Sequence, residues 1–299
     1  MGDAVITGLR SIELEVADVA RSFAFYESVW GLERLGASPH LRAGGMEHHA
    51  LSVYAAAQPG LRSITLAARD DKAVDSLCEK ARNHGVPLLA AGHELEADDG
   101  GGYGACFEAP GGLRVRVSGG VARQQAGLRA PDKPVELTHV VLNSPDLAQL
   151  SDWFCGFLGF KVSDETAIMR FLRCGADHHT IAIARGTCVG LNHAAFLMED
   201  FDGLMYGCGR LTEAGYPIEW GVGRHGPGNN VFAYFIDPDG HVVEYTTDMD
   251  QVDDTYVVHD AAYWGNFPRR PCRWGLARKP SERIMKAMAG TPRRQTDSA

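Results

Sequence analysis

Short strand-like runs occur four times along the chain, and each is followed by an Asp-bearing turn and by apolar residues at helical spacing. The tetrapeptide Leu-Arg-Ser-Ile opens the two runs of the first half, at 9–12 and 61–64. The two runs of the second half open at 137–140 and 191–194. The run starts are therefore 52 residues apart in the first half and 54 in the second. The predicted helices cover 19–30, 72–84, 147–158 and 203–214. A Gly follows each of the last three helices, which is a common helix stop.

A repeated unit of about 50 residues that reads strand, helix and several strands predicts a βαβββ module. We therefore predict an α+β fold in which four βαβββ modules pair into two curved-barrel domains, each with a site on its concave face. The predicted domains are 1–120 and 135–265, and 266–299 forms a C-terminal tail. Residues 121–134 contain two Pro and several polar side chains, which is typical of a linker. An α+β fold without duplication is the alternative, and the repeated tetrapeptide argues against it.

Aligned without gaps, the two halves differ at three positions that matter for chemistry. Each half also has a Pro-Gly turn between two strands, at 107–112 and 235–240. Counting onward from this turn aligns the third of these positions. The alignment places His139 opposite Ser11, His193 opposite Ser63, and Glu244 opposite Arg116. Only the second half can therefore bind a metal through these positions.

Two imidazoles and one carboxylate on one side of a metal leave the opposite side open, as non-heme Fe(II) needs when it binds both a substrate and O₂. Zn²⁺ accepts a similar ligand set, so these residue types do not choose the metal. A single strand His is more often a hydrogen-bonded core residue, and Glu244 alone could be a solvated strand position. Their agreement at corresponding module positions favours the metal site.

The second half resembles the vicinal oxygen chelate superfamily, and within it the type I extradiol catechol dioxygenases. The resemblance spans roughly residues 136–265, and the first half shares the module pattern. The segments that carry it are LTHV (137–140), FLRCGADHHTIA (171–182), LNH (191–193), GRHG (223–226), FAY (232–234) and EY (244–245).

The resemblance implies that the first half carries an empty site and that His139, His193 and Glu244 bind Fe(II), with Mn(II) as a possible substitute. It implies that His179 is the proton donor beside the bound catechol and O₂. It also implies that His225 and Tyr234 contact the hydroxyl groups of the catechol. The expected reaction inserts both atoms of O₂ into a catechol-type substrate next to the diol and gives a yellow ring-opened acid.

Three segments around this site have more than one interpretation. His178 alternates with His179, so on a strand it would point to the other face, and we interpret it as structural. The aromatic stretch 256–274 could cover the site or only pack on its own domain. The basic residues of this stretch are Arg269, Arg270 and Arg273. They could bind an acidic substrate, but we prefer to interpret them as a solvated basic patch. The loop 226–230 leaves the substrate open among monocyclic, biaryl and carboxylated catechols.

The composition restricts the binding partners and the cellular compartment of the protein. The formal net charge is −9 and there is no long basic run, so we expect no nucleic-acid partner. Seven Cys occur singly, an odd number without a CxxC pair, which favours a reducing compartment. No signal-peptide core or stretch of about 18 apolar residues occurs, so we expect a cytoplasmic protein without a membrane partner. We also expect a homo-oligomer. The alternatives are another metal-dependent enzyme of the superfamily, such as an isomerase or lyase, and a non-catalytic binding protein.

Overall fold

The computed structural model of the protein describes residues 4–124, 130–267 and 272–290. The first sheet contains eight strands: β1 (Ile6–Val16), β2 (Glu33–Arg34), β3 (His40–Arg42), β4 (Leu51–Ala55), β5 (Gly60–Ala68), β6 (Leu88–Glu94), β7 (Tyr103–Ala109) and β8 (Leu113–Gly119). Helix α1 (Val19–Ala24) runs on into the π-helical segment Phe25–Trp30, and α2 (Asp71–His84) follows β5. A 3₁₀ turn, Ala97–Asp99, precedes β7.

The second half repeats this order in a second eight-stranded sheet. Its strands are β9 (Glu136–Ser144), β10 (Lys161–Glu165), β11 (Met169–Arg173), β12 (Ile181–Arg185), β13 (Gly190–Leu197), β14 (Trp220–Arg224), β15 (Val231–Ile236) and β16 (Val242–Thr247). Helix α3 (Leu147–Leu158) follows β9 and α4 (Phe201–Glu213) follows β13. Two short helices, α5 (Ala261–Asn266) and α6 (Glu282–Met288), come after the last strand. In the described residues, no helix is both long and apolar enough to cross a membrane.

The prediction of four βαβββ modules in an α+β fold is confirmed. The strand orders of the two sheets are identical in form: β2-β3-β4-β1-β5-β8-β7-β6 and β10-β11-β12-β9-β13-β16-β15-β14. Each sheet joins its two modules through their first strands, which are antiparallel: β1 with β5, and β9 with β13. Among the described strands, the two ends of each sheet do not pair with each other, so neither barrel is closed.

The helices agree with the sequence prediction except at their starts and in the first module. Residues 25–30 continue α1 as π-helix instead of α-helix. Helix α4 begins at Phe201, two residues before the predicted start, because the Asp200 side chain accepts a hydrogen bond from the Gly203 N–H at 2.7 Å and caps the helix. Gly85 and Gly159 both end their helices in the left-handed conformation, as predicted.

Strand pairing gives an independent check on the alignment of the two halves. In the first sheet, Ile12 pairs with Ile64, and Ile64 pairs with Val115. In the second sheet the same ladder links Val140 to Ala194 and Ala194 to Val243. The neighbours of these residues are therefore structurally equivalent, which gives the predicted pairs: Ser11 and His139, Ser63 and His193, and Arg116 and Glu244.

The two halves pack together behind strand β16. The Trp30 ring stacks on the Tyr245 ring with centroids 3.9 Å apart, and the Tyr245 hydroxyl donates to the Trp30 carbonyl. Tyr26 adds a hydrogen bond from its hydroxyl to Asp237 Oδ2 at 2.8 Å. Because Tyr245 adjoins Glu244, the first half supports the strand that carries the carboxylate.

We expect Trp30→Ala to lower the free energy of unfolding by about 3–5 kcal/mol, since the indole is fully buried and makes aromatic contacts across the domain interface. Chemical denaturation of the two proteins measures this difference. Trp274→Ala is the matched control, because Trp274 is 38% exposed and its aromatic and cationic contacts within the described residues are Phe201 and Arg224. Its cost should be about 1 kcal/mol or less. Equal costs for both variants would contradict the role given to Trp30.

Candidate metal centre and its cavity

Three neighbouring strands bring two imidazoles and one carboxylate together. His139 lies on β9, His193 on β13 and Glu244 on β16, and these strands are adjacent in the second sheet. One potential ligand atom from each residue lies within 4.8 Å of the other two. Glu244 Oε2 is 3.3 Å from His139 Nε2 and 3.2 Å from His193 Nε2. All three side chains are buried.

The electrostatics of this cluster fit a divalent cation. Burial alone would raise the pKa of the Glu244 carboxyl, but the two imidazoles hold that pKa well below its usual range. Glu244 Oε2 accepts no hydrogen bond from the described residues although it is fully buried. Burial also lowers the pKa of His193, which keeps the imidazole neutral and able to bind a metal. A buried carboxylate with an unpartnered oxygen beside two imidazoles fits a cation that all three ligands share.

Amide side chains hold His193 in place. His193 Nδ1 lies 2.8 Å from Asn192 Oδ1, which leaves Nε2 free to point at Glu244. Asn192 in turn donates to Asn143 Oδ1 at 3.0 Å, and Asn143 donates to the Met288 carbonyl at 2.7 Å. This chain of hydrogen bonds connects His193 to helix α6.

A further amide contacts the carboxylate. Asn230 is fully buried and donates to Thr246 Oγ1 at 2.8 Å and to Glu244 Oε1 at 3.4 Å. Its side chain therefore orients Glu244 so that Oε2 faces the two imidazoles. Sequence reasoning missed Asn143, Asn192 and Asn230. The available signal was a polar residue inside an otherwise apolar strand, or, for Asn230, directly before one.

His179 lies against the ligand cluster, with its ring centroid 4.5 Å from that of His139. Burial and the neighbouring imidazoles, His139 first among them, lower its pKa well below the ordinary value. The loop that follows β14 also packs on it: a Cβ at Gly228 would lie 3.0 Å from His179 Cε1. His179 is therefore a neutral imidazole held between the ligands and this loop.

His178 lies next to His179 in a loop before β12, not on a strand as the sequence interpretation assumed. Its Nε2 is 3.0 Å from Asp164 Oδ2, and its Nδ1 is 3.1 Å from His179 Nδ1. Asp164 also accepts hydrogen bonds from the Tyr256 hydroxyl at 3.1 Å and the His259 N–H at 2.8 Å. These contacts support a structural role for His178, because they fasten the loop to the C-terminal segment.

His225 and Tyr234 form a hydrogen-bonded pair that lines the same cavity as His179. His225 Nε2 is 2.9 Å from the Tyr234 hydroxyl and 3.9 Å from Glu244 Oε1. Burial lowers the pKa of His225 to about 4, while burial and the Glu244 charge raise the pKa of Tyr234 well above its usual value. Tyr234 pairs directly with Glu244 across β15 and β16. The pair thus consists of a neutral imidazole and a protonated phenol.

A cavity of about 1430 Å³ opens onto the cluster. Five of the predicted site residues line it, and Glu244 lies beneath them: His139, His179, His193, His225 and Tyr234. The remaining walls are largely apolar and include Val141, Ile168, Met169, Phe171 and Trp220. The cavity is larger than the roughly 300–1,000 Å³ typical of small-molecule sites.

The C-terminal segment contributes to this cavity. Trp264 and Phe267 line it, as do Met285 and Met288 of α6, so the aromatic stretch covers the site in part. Trp274 instead packs against Phe201 and Arg224. The preferred interpretation of the basic residues as a solvated patch is too simple for Arg273, which is exposed but lines the cavity and donates to Asn229 Oδ1 at 2.7 Å. Arg269 and Arg270 lie outside the described residues.

Comparison with known proteins agrees with this architecture. The family model of the Glyoxalase/Bleomycin resistance protein/Dioxygenase superfamily matches residues 8–117 and 136–245, one match for each sheet. The chain belongs to this superfamily. Its two matches bound the two pairs of modules, and the second one contains all three residues of the metal cluster.

Among curated members of the superfamily, metapyrocatechase 2 of Cupriavidus necator is 35% identical over 147 residues. That match covers 48% of the chain and only 44% of the relative, so it spans less than half of that protein. Biphenyl-2,3-diol 1,2-dioxygenase of Pseudomonas sp. strain KKS102 is 27% identical over 237 residues, covering 71% of the chain and 80% of the relative.

Among solved structures, the Mn(II)-bound glyoxalase from Novosphingobium aromaticivorans has a TM-score of 0.86 and 37% identity and covers 94% of both chains. Homoprotocatechuate 2,3-dioxygenase from Brevibacterium fuscum, in a variant form, has a TM-score of 0.76 and 22% identity, with 86% of this chain and 76% of that chain covered. At this identity the second likeness concerns the fold alone.

Proposed function

We propose that this superfamily member is an extradiol dioxygenase that cleaves a catechol-type ring next to the diol and incorporates both atoms of O₂. The observation that carries the proposal is the grouping of His179, His225 and Tyr234 around one open side of the His139, His193 and Glu244 cluster. A binding protein would not need neutral imidazoles and a phenol at this position. Relatives named as catechol dioxygenases support the same reaction.

Each protein group has a separate task in this proposal. His139, His193 and Glu244 would hold the metal, which when bound supplies Lewis-acid and electron-transfer chemistry to a chelated diol. The hydrogen-bonded pair of His225 and Tyr234 binds and orients the two hydroxyl groups, and the neutral His225 imidazole accepts a proton at Nε2.

His179 has a separate task in the same cavity. It is fixed between His139 and the Gly228 loop, so its imidazole is positioned to transfer a proton as the ring opens. The apolar walls and the C-terminal residues Trp264 and Phe267 exclude water from the substrate.

We propose Fe(II) as the working metal, with Mn(II) as the alternative that the Mn(II)-bound relative favours. The ligand set suits both ions, because imidazole nitrogen and carboxylate oxygen bind first-row divalent metals in general. The cytoplasmic location and the homo-oligomer expected from the sequence stay predictions.

The cavity favours a substituted catechol over the bare ring. A single catechol ring would fill only part of about 1430 Å³, and the distal walls carry Ile168, Met285 and Met288. Apolar area of this kind binds an apolar substituent on the ring. Biphenyl-2,3-diol is therefore a better probe than catechol itself.

A metal-dependent isomerase is the second candidate, because the Mn(II)-bound relative is named a glyoxalase. Such enzymes typically build the site from ligands across two modules, with an extra Glu or Gln. In the described residues, the cluster of His, Cys, Asp and Glu contains only the three ligands, all from the second half. This ligand set argues for the dioxygenase.

One assay separates the two candidates. The protein is loaded anaerobically with Fe(II) or Mn(II) and mixed with catechol, with biphenyl-2,3-diol, or with the glutathione adduct of a 2-oxoaldehyde. We expect uptake of one O₂ per diol and a yellow product, with a higher kcat/KM for biphenyl-2,3-diol than for catechol. No O₂ uptake with either diol, together with turnover of the adduct, would replace the dioxygenase by the isomerase.

A further inference from the structure

The first sheet contains a cavity at the position equivalent to the metal centre. Its volume is about 230 Å³, and Ser63 and Arg116, the counterparts of His193 and Glu244, line it. A guanidinium therefore stands where the second half has its metal-binding carboxylate. This replacement turns a site for a cation into one that attracts an anion.

Hydrogen-bond donors in this cavity lack partners among the described residues. Ser63 Oγ, Ser118 Oγ and Arg10 Nε are all buried without a hydrogen-bond partner. The three residues are only 2%, 3% and 7% exposed, respectively, and all line the cavity. Leaving buried polar groups unpaired is costly, so three such donors around one cavity indicate a ligand that accepts hydrogen bonds.

The charges that surround the cavity leave a small positive excess. Four guanidinium groups and two carboxylates line it: Arg10, Arg62, Arg114 and Arg116, with Glu13 and Asp99. Glu13 is shared between Arg116, at 2.5 Å, and Arg62, at 3.4 Å. Arg10 pairs with Glu47 from outside the lining. The lining itself thus has four positive groups against two negative ones, and just outside it Glu47 and Arg123, which both act on Arg10, add one charge of each sign.

The uncharged residues of the lining also restrict the kind of ligand that can bind. Burial lowers the pKa of His49 to about 3, so this imidazole adds no charge at neutral pH. Apolar side chains, among them Leu95, Val117 and Val121, also line the cavity. The lining therefore offers hydrogen-bond donors and an excess of positive charge beside apolar side chains.

From this combination we propose that the first-half cavity is a binding site for a small organic monocarboxylate, separate from the metal centre. The carboxylate accepts hydrogen bonds from Ser63, Ser118 and Arg10 and neutralises the excess charge. Its apolar body lies against Leu95 and Val117. Inorganic phosphate fits less well, because it has no apolar part to contact the apolar side chains of the lining.

Fluorine NMR with 4-fluorobenzoate tests this site in the full, metal-loaded chain. We expect saturable binding to the wild type, and a Kd at least about tenfold higher in Arg116→Gln, which removes one of the positive charges that line the cavity. Arg116→Gln also leaves buried Glu13 with fewer partners, so Ser63→Ala is the second variant. It removes an unpartnered hydroxyl, keeps the fold, and should raise the Kd by a similar factor.

Two further proteins decide where the probe binds. Arg82→Gln, on the exposed side of α2, is the matched control and should keep the wild-type Kd. His193→Ala should lose the metal and still bind 4-fluorobenzoate, which distinguishes this site from the proposed catalytic one. The proposal is overturned by wild-type Kd values in both Ser63→Ala and Arg116→Gln, by loss of binding in His193→Ala, or by phosphate binding as tightly as the probe.

Discussion

Replacing His139 by Ala removes the bound metal and with it all ring cleavage; this is the largest effect that we expect. His139 belongs to the one group of three candidate ligands in the described residues, and its Nε2 lies 3.3 Å from Glu244 Oε2. Loss of an outer hydrogen bond to a ligand already costs roughly 10–100-fold in metal affinity, and loss of a ligand costs more. Elemental analysis of the purified variant should fall from about one metal per chain to near zero.

The duplicated fold supplies a matched control for this variant. Ser11 occupies the position of His139 in the first sheet, is fully buried, and its hydroxyl has no hydrogen-bond partner among the described residues. Ser11→Ala should therefore keep both the metal and the turnover of wild type. Metal content near wild type in His139→Ala, or equal loss in both variants, would show that the cluster is not the metal centre.

The grouping of His139, His193 and Glu244 could be predicted from the sequence because the duplication made the two halves comparable. A strand pairs with its neighbours residue by residue, so a gap-free alignment of modules predicts which side chains share a face. Ser11, Ser63 and Arg116 marked where the second half differs, and the strand register agrees with each pair. The ends of two helices could be predicted for a different reason. Gly85 and Gly159 end their helices through their own left-handed backbone conformation, which is a local property of the sequence.

The groups that surround the ligands depend on contacts between distant segments, which no local pattern encodes. The chain from His193 through Asn192 and Asn143 ends at the Met288 carbonyl, nearly a hundred residues away. The cavity wall formed by Trp264 has the same origin, because α5 is short and docks by tertiary packing. The structural interpretation of His178 considered its position on a strand, whereas it lies in a loop where it contacts Asp164.

A substitution at His179 tests proton transfer and not metal binding. His179 contacts His139 through its ring but is not one of the three ligands. We expect His179→Ala to retain the metal and to lower kcat by about 10²–10⁴-fold, the usual contribution of a positioned acid–base group. Steady-state O₂ uptake with biphenyl-2,3-diol, beside elemental analysis of the same sample, measures both quantities.

Two comparison variants separate proton transfer from packing. His179→Gln keeps a hydrogen-bonding side chain in the cavity but cannot exchange a proton, so it should restore KM without restoring kcat. His84→Ala removes an exposed imidazole from the end of α2 and should leave both constants unchanged. Turnover of His179→Ala at the wild-type rate, or full recovery of kcat in His179→Gln, would mean that this imidazole does not move the proton. The hydrogen-bonded pair of His225 and Tyr234 would then be the next candidate for the proton donor.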